Sequence, residues 1–228
     1  MLSPGALQQP RPALRVPRAR TRLHINPLSP ELLQAPALPD WPRLVSDIQL
    51  PLHLDVGTAY GELVLELAAL DSSRNFAGVD LRERPLQRAQ ALVGTLQNAA
   101  FLLANARHDA FLSQLLAGYA GPLQRMSVLF PDPWKQSKLQ RRRLLQPALV
   151  DAVAQRMPAG GDFVTATDNP ELAAEMRRPF DEDPQRWRNF STDEHGFVAG
   201  SPFPVATAWE NTIRGRSSPT YWAHYERR

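Results

Sequence analysis

The chain contains no cysteine in its 228 residues, so neither a disulfide nor a thiolate metal site is open to it. Histidine is scarce too. The five are scattered, with no H-x-x-x-H pair of the kind that binds zinc, and no metal is expected. No uninterrupted apolar stretch approaches the roughly 18 residues that a membrane span needs. The N-terminus lacks the apolar core of a secretory signal. A cytoplasmic protein without a membrane partner is the expectation. Acidic residues are absent from the first thirty positions, which carry Arg11, Arg15, Arg18, Arg20 and Arg22 among several prolines. Such a segment cannot bury enough apolar surface to fold alone, so residues 1–40 are expected to form a flexible basic Pro/Arg-rich arm. The arm is either a tether for polyphosphate or an extension without a role.

What remains is ordinary for a globular domain: 43% apolar and 21% charged residues. Residues 41–228 read as a single domain without internal repeats, and a monomer and a homodimer are both open. From about residue 50, short apolar runs alternate with segments of helical period, the pattern of a parallel α/β sheet. Strands are expected at 52–56, 76–80, 101–104, 125–130 and 163–167. Helices are expected over 61–70, with Leu63, Leu67 and Leu70 as the buried stripe, and over 84–97. Two more begin at Pro147 and at Asn169-Pro170, where proline suits the first helical turn. The aromatic-rich segment 186–228 fits one or two closing strands with a loop over about 192–206.

The segment Phe130-Pro-Asp-Pro-Trp134 is the most informative. An apolar strand ends at Asp132, held between two prolines that each restrict their own φ and the residue before. Open α/β sheets place their sites at such strand ends. Lys135, Lys138, Arg141, Arg142 and Arg143 follow, a strip suited to phosphates. Trp134 can stack on an unpaired base or serve as a packing lid.

Asp55-Val-Gly57-Thr-Ala59-Tyr-Gly61 lies between the first strand and the first helix, where glycines let a ligand approach the backbone. The spacing is neither that of dinucleotide sites nor that of a P-loop. A carboxylate at Asp55 would repel a pyrophosphate, which opposes a dehydrogenase, but would favour the cationic S-adenosylmethionine. Asp80 ends the second strand, where an acid takes ribose hydroxyls. Asn105-Ala-Arg-His-Asp109 follows the third strand and offers polar groups where an adenine would lie. Each element alone also fits a tight turn or a helix cap.

Together these residues resemble the tRNA (guanine-N7-)-methyltransferase family over about residues 50–228. The motifs that carry the likeness are Phe130 to Arg143, Asn105 to Ala110, Ala166-Thr167-Asp168 and Thr207-Ala-Trp209-Glu210. The resemblance implies a Rossmann-like class I methyltransferase fold: a mostly parallel sheet, helices on both faces and an antiparallel closing strand. It implies methyl transfer from S-adenosylmethionine to N7 of guanine 46 in the tRNA variable loop. It places Asp55, Gly57, Gly61, Asp80, Asn105, Asp109 and Asp132 around the cofactor, with Asp132 catalytic. It assigns Lys135, Gln136, Arg141, Arg142, Asp168, Thr207, Trp209 and Glu210 to the tRNA. The sequence departs from the family pattern at Ala59, Gln136, Thr212 and Ser217. Two other readings compete: a methyltransferase for an exocyclic amine, because Asp-Pro-Trp is similar to the [DN]-P-P-[YFW] loop, and an RNA-binding module with a lapsed cofactor site.

Overall fold

Residues 25–214 and 218–228 are described in the computed structural model. The arginine-bearing part of the expected arm, residues 1–24, and the departure at Ser217 lie outside the described residues. The elements run α1 (Trp41–Leu44), β1 (Leu52–Val56), α2 (Glu62–Leu70), β2 (Asn75–Asp80), α3 (Glu83–Ala91), β3 (Ala99–Leu103), α4 (Phe111–Leu115) and β4 (Leu123–Leu129). A 3-10 helix (Ser137–Arg142) then precedes α5 (Pro147–Arg156), β5 (Asp162–Thr167), α6 (Pro170–Asp181), β6 (Trp187–Asn189), α7 (Ala208–Arg214) and β7 (Tyr221–Arg227).

The seven strands form one sheet in the order β3-β2-β1-β4-β5-β7-β6. The first five pair in parallel, and β7 inserts antiparallel between β5 and β6. This is the Rossmann-like arrangement with an antiparallel closing strand. Every residue of β1, β2 and β5 is buried, because helices cover both faces of a parallel sheet. One face carries Leu52, Leu54 and Val56 against α4, α5 and α6. The other packs Phe76 and Phe101 under α2 and α3, with Phe203 and Trp222 further along. Trp41 is fully buried on the first face, and its Nε1 donates to the Leu115 carbonyl at 2.9 Å.

Several expectations shift. Leu70 is 65% exposed, so α2 buries Leu63, Val64, Leu65, Leu67 and Ala68, not a stripe ending at Leu70. The helix expected over 84–97 ends at Ala91, and Gly94 takes a left-handed φ of 58° in the following turn. The short helices α1, α4 and α7 were not anticipated, since four to seven residues give too little periodicity to read. Of the residues assigned to the arm, 25–40 run along the domain, and Pro27 is buried.

The turn after β1 explains both its glycines and its alanine. Gly57, Ala59 and Gly61 all have positive φ, at 88°, 52° and 72°. Ala59 therefore bears left-handed strain where the family pattern has glycine. A Cβ on Gly61 would lie 2.3 Å from Phe101 Cε1 and 2.9 Å from Ala89 Cβ, so this glycine lets α2 approach the sheet. Gly61→Ala should cost about 2–5 kcal/mol, left-handed strain and overpacking together, read as a lower urea midpoint. Ala59→Gly should raise that midpoint.

Candidate active site

The chain reverses its direction of winding between β1 and β4, and a crevice opens there at the C-terminal ends of the strands. Gly57, Asp80, Asn105, Asp132, Trp134 and Arg142 line the cavity in this crevice. Five of the expected site residues, with Trp134 beside them, are thus brought together from four separate loops. Asp55, Gly61 and Asp109 do not line it. Asp55 is 4% exposed, buried behind the Gly57 turn, and Asp109 is exposed on the turn before α4.

Asp132 sits on a turn under strain. Phe130 and Trp134, which flank Pro131-Asp132-Pro133, have φ values of 50° and 42°. A left-handed non-glycine residue costs of order 1–3 kcal/mol and persists only where its surroundings hold it. Phe130 N donates to the Ala166 carbonyl at 2.7 Å, which ties the turn to the end of β5. Its ring meets Trp222 edge-on at 5.7 Å. The guanidinium of Arg142 lies over the Trp134 ring at 5.1 Å, so one face of the indole is already covered. Asp168, half-buried, follows β5 beside this turn. Asn169 caps α6 by accepting from Leu172 N at 2.8 Å.

The Asp80 carboxylate accepts four hydrogen bonds. They come from Ala59 N at 3.0 Å, and from Arg82 N, Nε and Nη2 at 2.9 Å each. That is the full acceptor capacity of a carboxylate. A ribose diol reaching Asp80 must therefore share or displace the Arg82 guanidinium. The hydrogen bonds to Asp80 raise Arg82 above the usual arginine range against the cost of burial, and the Asp132 charge adds to them. Sequence reasoning passed over Arg82, although its place two residues after the strand-end acid was visible.

Asn105 holds protein as well as lining the cavity. Its Nδ2 donates to the Pro27 and Leu32 carbonyls, both at 2.8 Å, and its Oδ1 accepts from Arg107 N. The turn at 26–33 is thereby fixed to the crevice, and Ile25 and Pro27 form part of the wall. This second role of the arm's end had no signal in its composition.

Behind the floor, Ser127 Oγ donates to Asp55 Oδ1 at 2.7 Å, and His53 Nε2 lies 2.9 Å from the same Oγ. Burial pushes the Asp55 carboxyl up to about 6, and the bond from Ser127 works against that rise. Burial also takes His53 down to about 3, so it is neutral at ordinary pH.

The expected tRNA-facing residues divide by exposure. Lys135, Gln136, Lys138 and Arg141 are exposed, and Arg142 is half-buried. Arg143, read from the sequence as part of the phosphate strip, is only 3% exposed and points inward. Thr207 and Glu210 are buried and form a reciprocal capping box at α7. Thr207 N donates to Glu210 Oε2 at 2.7 Å, and Glu210 N donates to Thr207 Oγ1 at 3.1 Å. Trp209, between them, is 41% exposed.

Asp80 and Asp132 line the cavity beside the glycine turn, together with Arg82, Arg107 and Arg142. Arg82 is paired with Asp80, Arg142 lies over the Trp134 ring, and the glycine spacing is not that of a phosphate cradle, so the site suits a phosphate-free ligand such as S-adenosylmethionine. The sheet order and this site define a class I methyltransferase. A family model described as "Putative methyltransferase" matches residues 49–218. A tRNA (guanine-N(7)-)-methyltransferase of Synechococcus elongatus is 36% identical over 213 residues, covering 92% of this chain and 97% of its own. A protein of the same name from a Nostoc species is 36% identical over 216 residues, covering 93% and 96%. The solved structure of the 16S rRNA methyltransferase KamB has a like fold, with a TM-score of 0.57 and 19% identity over 83% of this chain and 94% of its own. The chain belongs to the tRNA (guanine-N7-)-methyltransferase family, whose methyl donor is S-adenosylmethionine.

The raised Asp55 carboxyl has a consequence for cofactor binding. Above about pH 6 Asp55 is charged and would attract a cationic ligand in the cavity before it; below it the group is protonated and that attraction would be lost. Affinity for S-adenosylmethionine, measured by calorimetry between pH 5 and 8, should fall as pH drops through that value. Asp55→Asn should bind weakly throughout and show a flatter profile.

Proposed function

We propose that the protein transfers a methyl group from S-adenosylmethionine to N7 of a guanine in the tRNA variable loop, guanine 46 in standard tRNA numbering. The observation that carries this reading is Asp132. It stands on a strained turn at the lip of the cavity, with Asp80 across the crevice and exposed cations on its outer side. Family membership agrees with it. Such a reaction belongs in the cytoplasm, where tRNA is found, and among the described residues no helix is long and apolar enough to cross a membrane.

When bound, S-adenosylmethionine supplies an electrophilic methyl group on a sulfonium. Gly57, Asp80 and Asn105 line its pocket, and Asp55 contributes charge from behind the floor. Guanine N7 carries no proton and has an in-plane lone pair, so no general base is needed to expose it. The residues of this chain have to position the base, and positioning supplies much of the rate. Asp132 accepts from the N–H donors of the guanine and offsets the positive charge that develops on the methylated ring. Asp168, at the end of the neighbouring strand, is placed to hold a second edge. Lys135, Lys138 and Arg141 are exposed to meet phosphates, which set the register of the RNA without reading its sequence. Thr207 Oγ1 and Glu210 Oε2 serve the capping box, and exposed Trp209 between them is placed to meet the substrate. Gln136 is exposed beside Lys135 and offers a neutral hydrogen bond where the family pattern has a cation.

The test is to incubate purified protein with labelled S-adenosylmethionine and total tRNA, then map the modified nucleotide by aniline cleavage. Cleavage at the variable-loop guanine is expected. Methyl on an exocyclic amine would make this a different base methyltransferase. Cofactor binding without transfer would make it a binding module. Asp132→Ala should bind S-adenosylmethionine nearly as well as the parent protein but lose transfer by about 10²–10³-fold. Normal turnover would remove Asp132 from its role.

A further inference from the structure

The 3-10 helix Ser137–Arg142 carries the basic run outward and ends at Arg143, which turns back into the protein. The backbone of Arg143 is pinned on both sides. Its N–H donates to the Gln140 carbonyl at 2.9 Å, and its carbonyl accepts from Gln146 Nε2 at 3.0 Å. Its side chain is 4% exposed. Nε donates to the Pro133 carbonyl at 2.9 Å, and Nη1 pairs with Glu175 Oε2 on α6. No solvent-facing phosphate can reach a guanidinium so enclosed unless both contacts break.

We infer that Arg143 is a positioning residue for Asp132, bracing the catalytic turn against α6, and not a contact to RNA. This inference rests on the catalytic reading of Asp132. The carbonyl that Arg143 holds belongs to the Pro133–Trp134 peptide, the link that leads into left-handed Trp134. Fixing that peptide plane helps hold the strained conformation, and with it the direction in which Asp132 faces. The other end of the brace is Glu175, on the helix that starts just after Asp168. The two acids assigned to the guanine are therefore held at a set separation by one ion pair as well as by the sheet. The fork of a guanidinium lets two nitrogens address two acceptors in different directions, which a lysine ammonium on a single stem does poorly.

The experiment compares Arg143→Met, Arg143→Lys, Glu175→Gln and Arg141→Ala in the full chain. Wild-type product is first mapped to N7-methylguanine, so that failure of the functional reading is seen separately. For each variant three quantities are read: the single-turnover rate at saturating S-adenosylmethionine and tRNA, the dissociation constant for S-adenosylmethionine, and the slope of log tRNA affinity against log salt. Arg143→Met should slow the saturating rate by about 30- to 100-fold, the scale of a small misplacement of a reacting group, with cofactor affinity and salt slope unchanged. Arg143→Lys should give an intermediate rate. Arg141→Ala, at a residue assigned to phosphates, should show the other signature: weaker tRNA binding with a salt slope reduced by about one. A reduced slope with a normal saturating rate in Arg143→Met would make Arg143 an RNA contact and overturn the proposal. An unchanged rate and slope would make it packing alone, and overturn it equally. Should Arg143→Met fail to fold, Glu175→Gln decides, since glutamine keeps an acceptor of the same shape. A slower saturating rate with normal salt slope supports the brace, and a wild-type rate refutes it.

Discussion

Five parallel strands, three of them buried along their whole length, leave their polar neighbours one main place to gather, the edge where the strands end together. Backbone pairing sets that edge, not any side chain. Val56 lies level with Val79, and Leu129 with Ala166, so the turns that follow them open at a common height. The reversal of winding between β1 and β4 then keeps a space between the first turn and the fourth. Everything assigned to chemistry here is a consequence of that registry. A shift of one residue in a single strand would move Asp80 or Asp132 to the opposite face of the sheet.

Within that edge the sides proposed for cofactor and base have backbones of different character. The cofactor side is a turn of left-handed residues, Gly57, Ala59 and Gly61, which offers main chain and little side chain. The base side is a turn stiffened by prolines and held under strain by its neighbours. Arg82 and Arg142 stand between the two, one on a carboxylate and one on an indole face. Two of the cations that line the cavity are therefore already engaged, while Lys135, Lys138 and Arg141 lie exposed on the strip outside it.

Much of this was legible in the sequence. Central strands are apolar runs bounded by glycine, proline and aspartate, so β1, β2, β4 and β5 and the acids that end them could be read directly. What escaped was set by tertiary context. The exposure of Leu70 depends on how α2 is rotated on the sheet, and the inward turn of Arg143 on where a 3-10 helix stops. A run of charges carries no mark of which member is buried. Asn105 reads as a polar group near a ligand, yet its amide also anchors a turn some seventy residues away. Thr207 and Glu210 are the instructive case. Their spacing is that of a capping box, a local signal present in the sequence from the start. The family likeness drew attention to substrate contact instead. Both readings concern the same four residues, because a cap that fixes the start of α7 also fixes where Trp209 projects.

While Asp55 is ionised, above about pH 6, the hydrogen bonds among His53, Ser127 and Asp55 run in one direction. Ser127 has a single hydroxyl hydrogen, and the Asp55 carboxylate, which can only accept, takes it. His53, neutral at ordinary pH, must then donate from Nε2, so a carboxylate on its own strand fixes its tautomer through Ser127 of the neighbouring strand. Three side chains in the middle of a sheet thus form a polarised wire with its acceptor end behind the floor of the cavity. Protonation of Asp55 opens the reversed arrangement, so the electrical sense of this part of the sheet is set by pH.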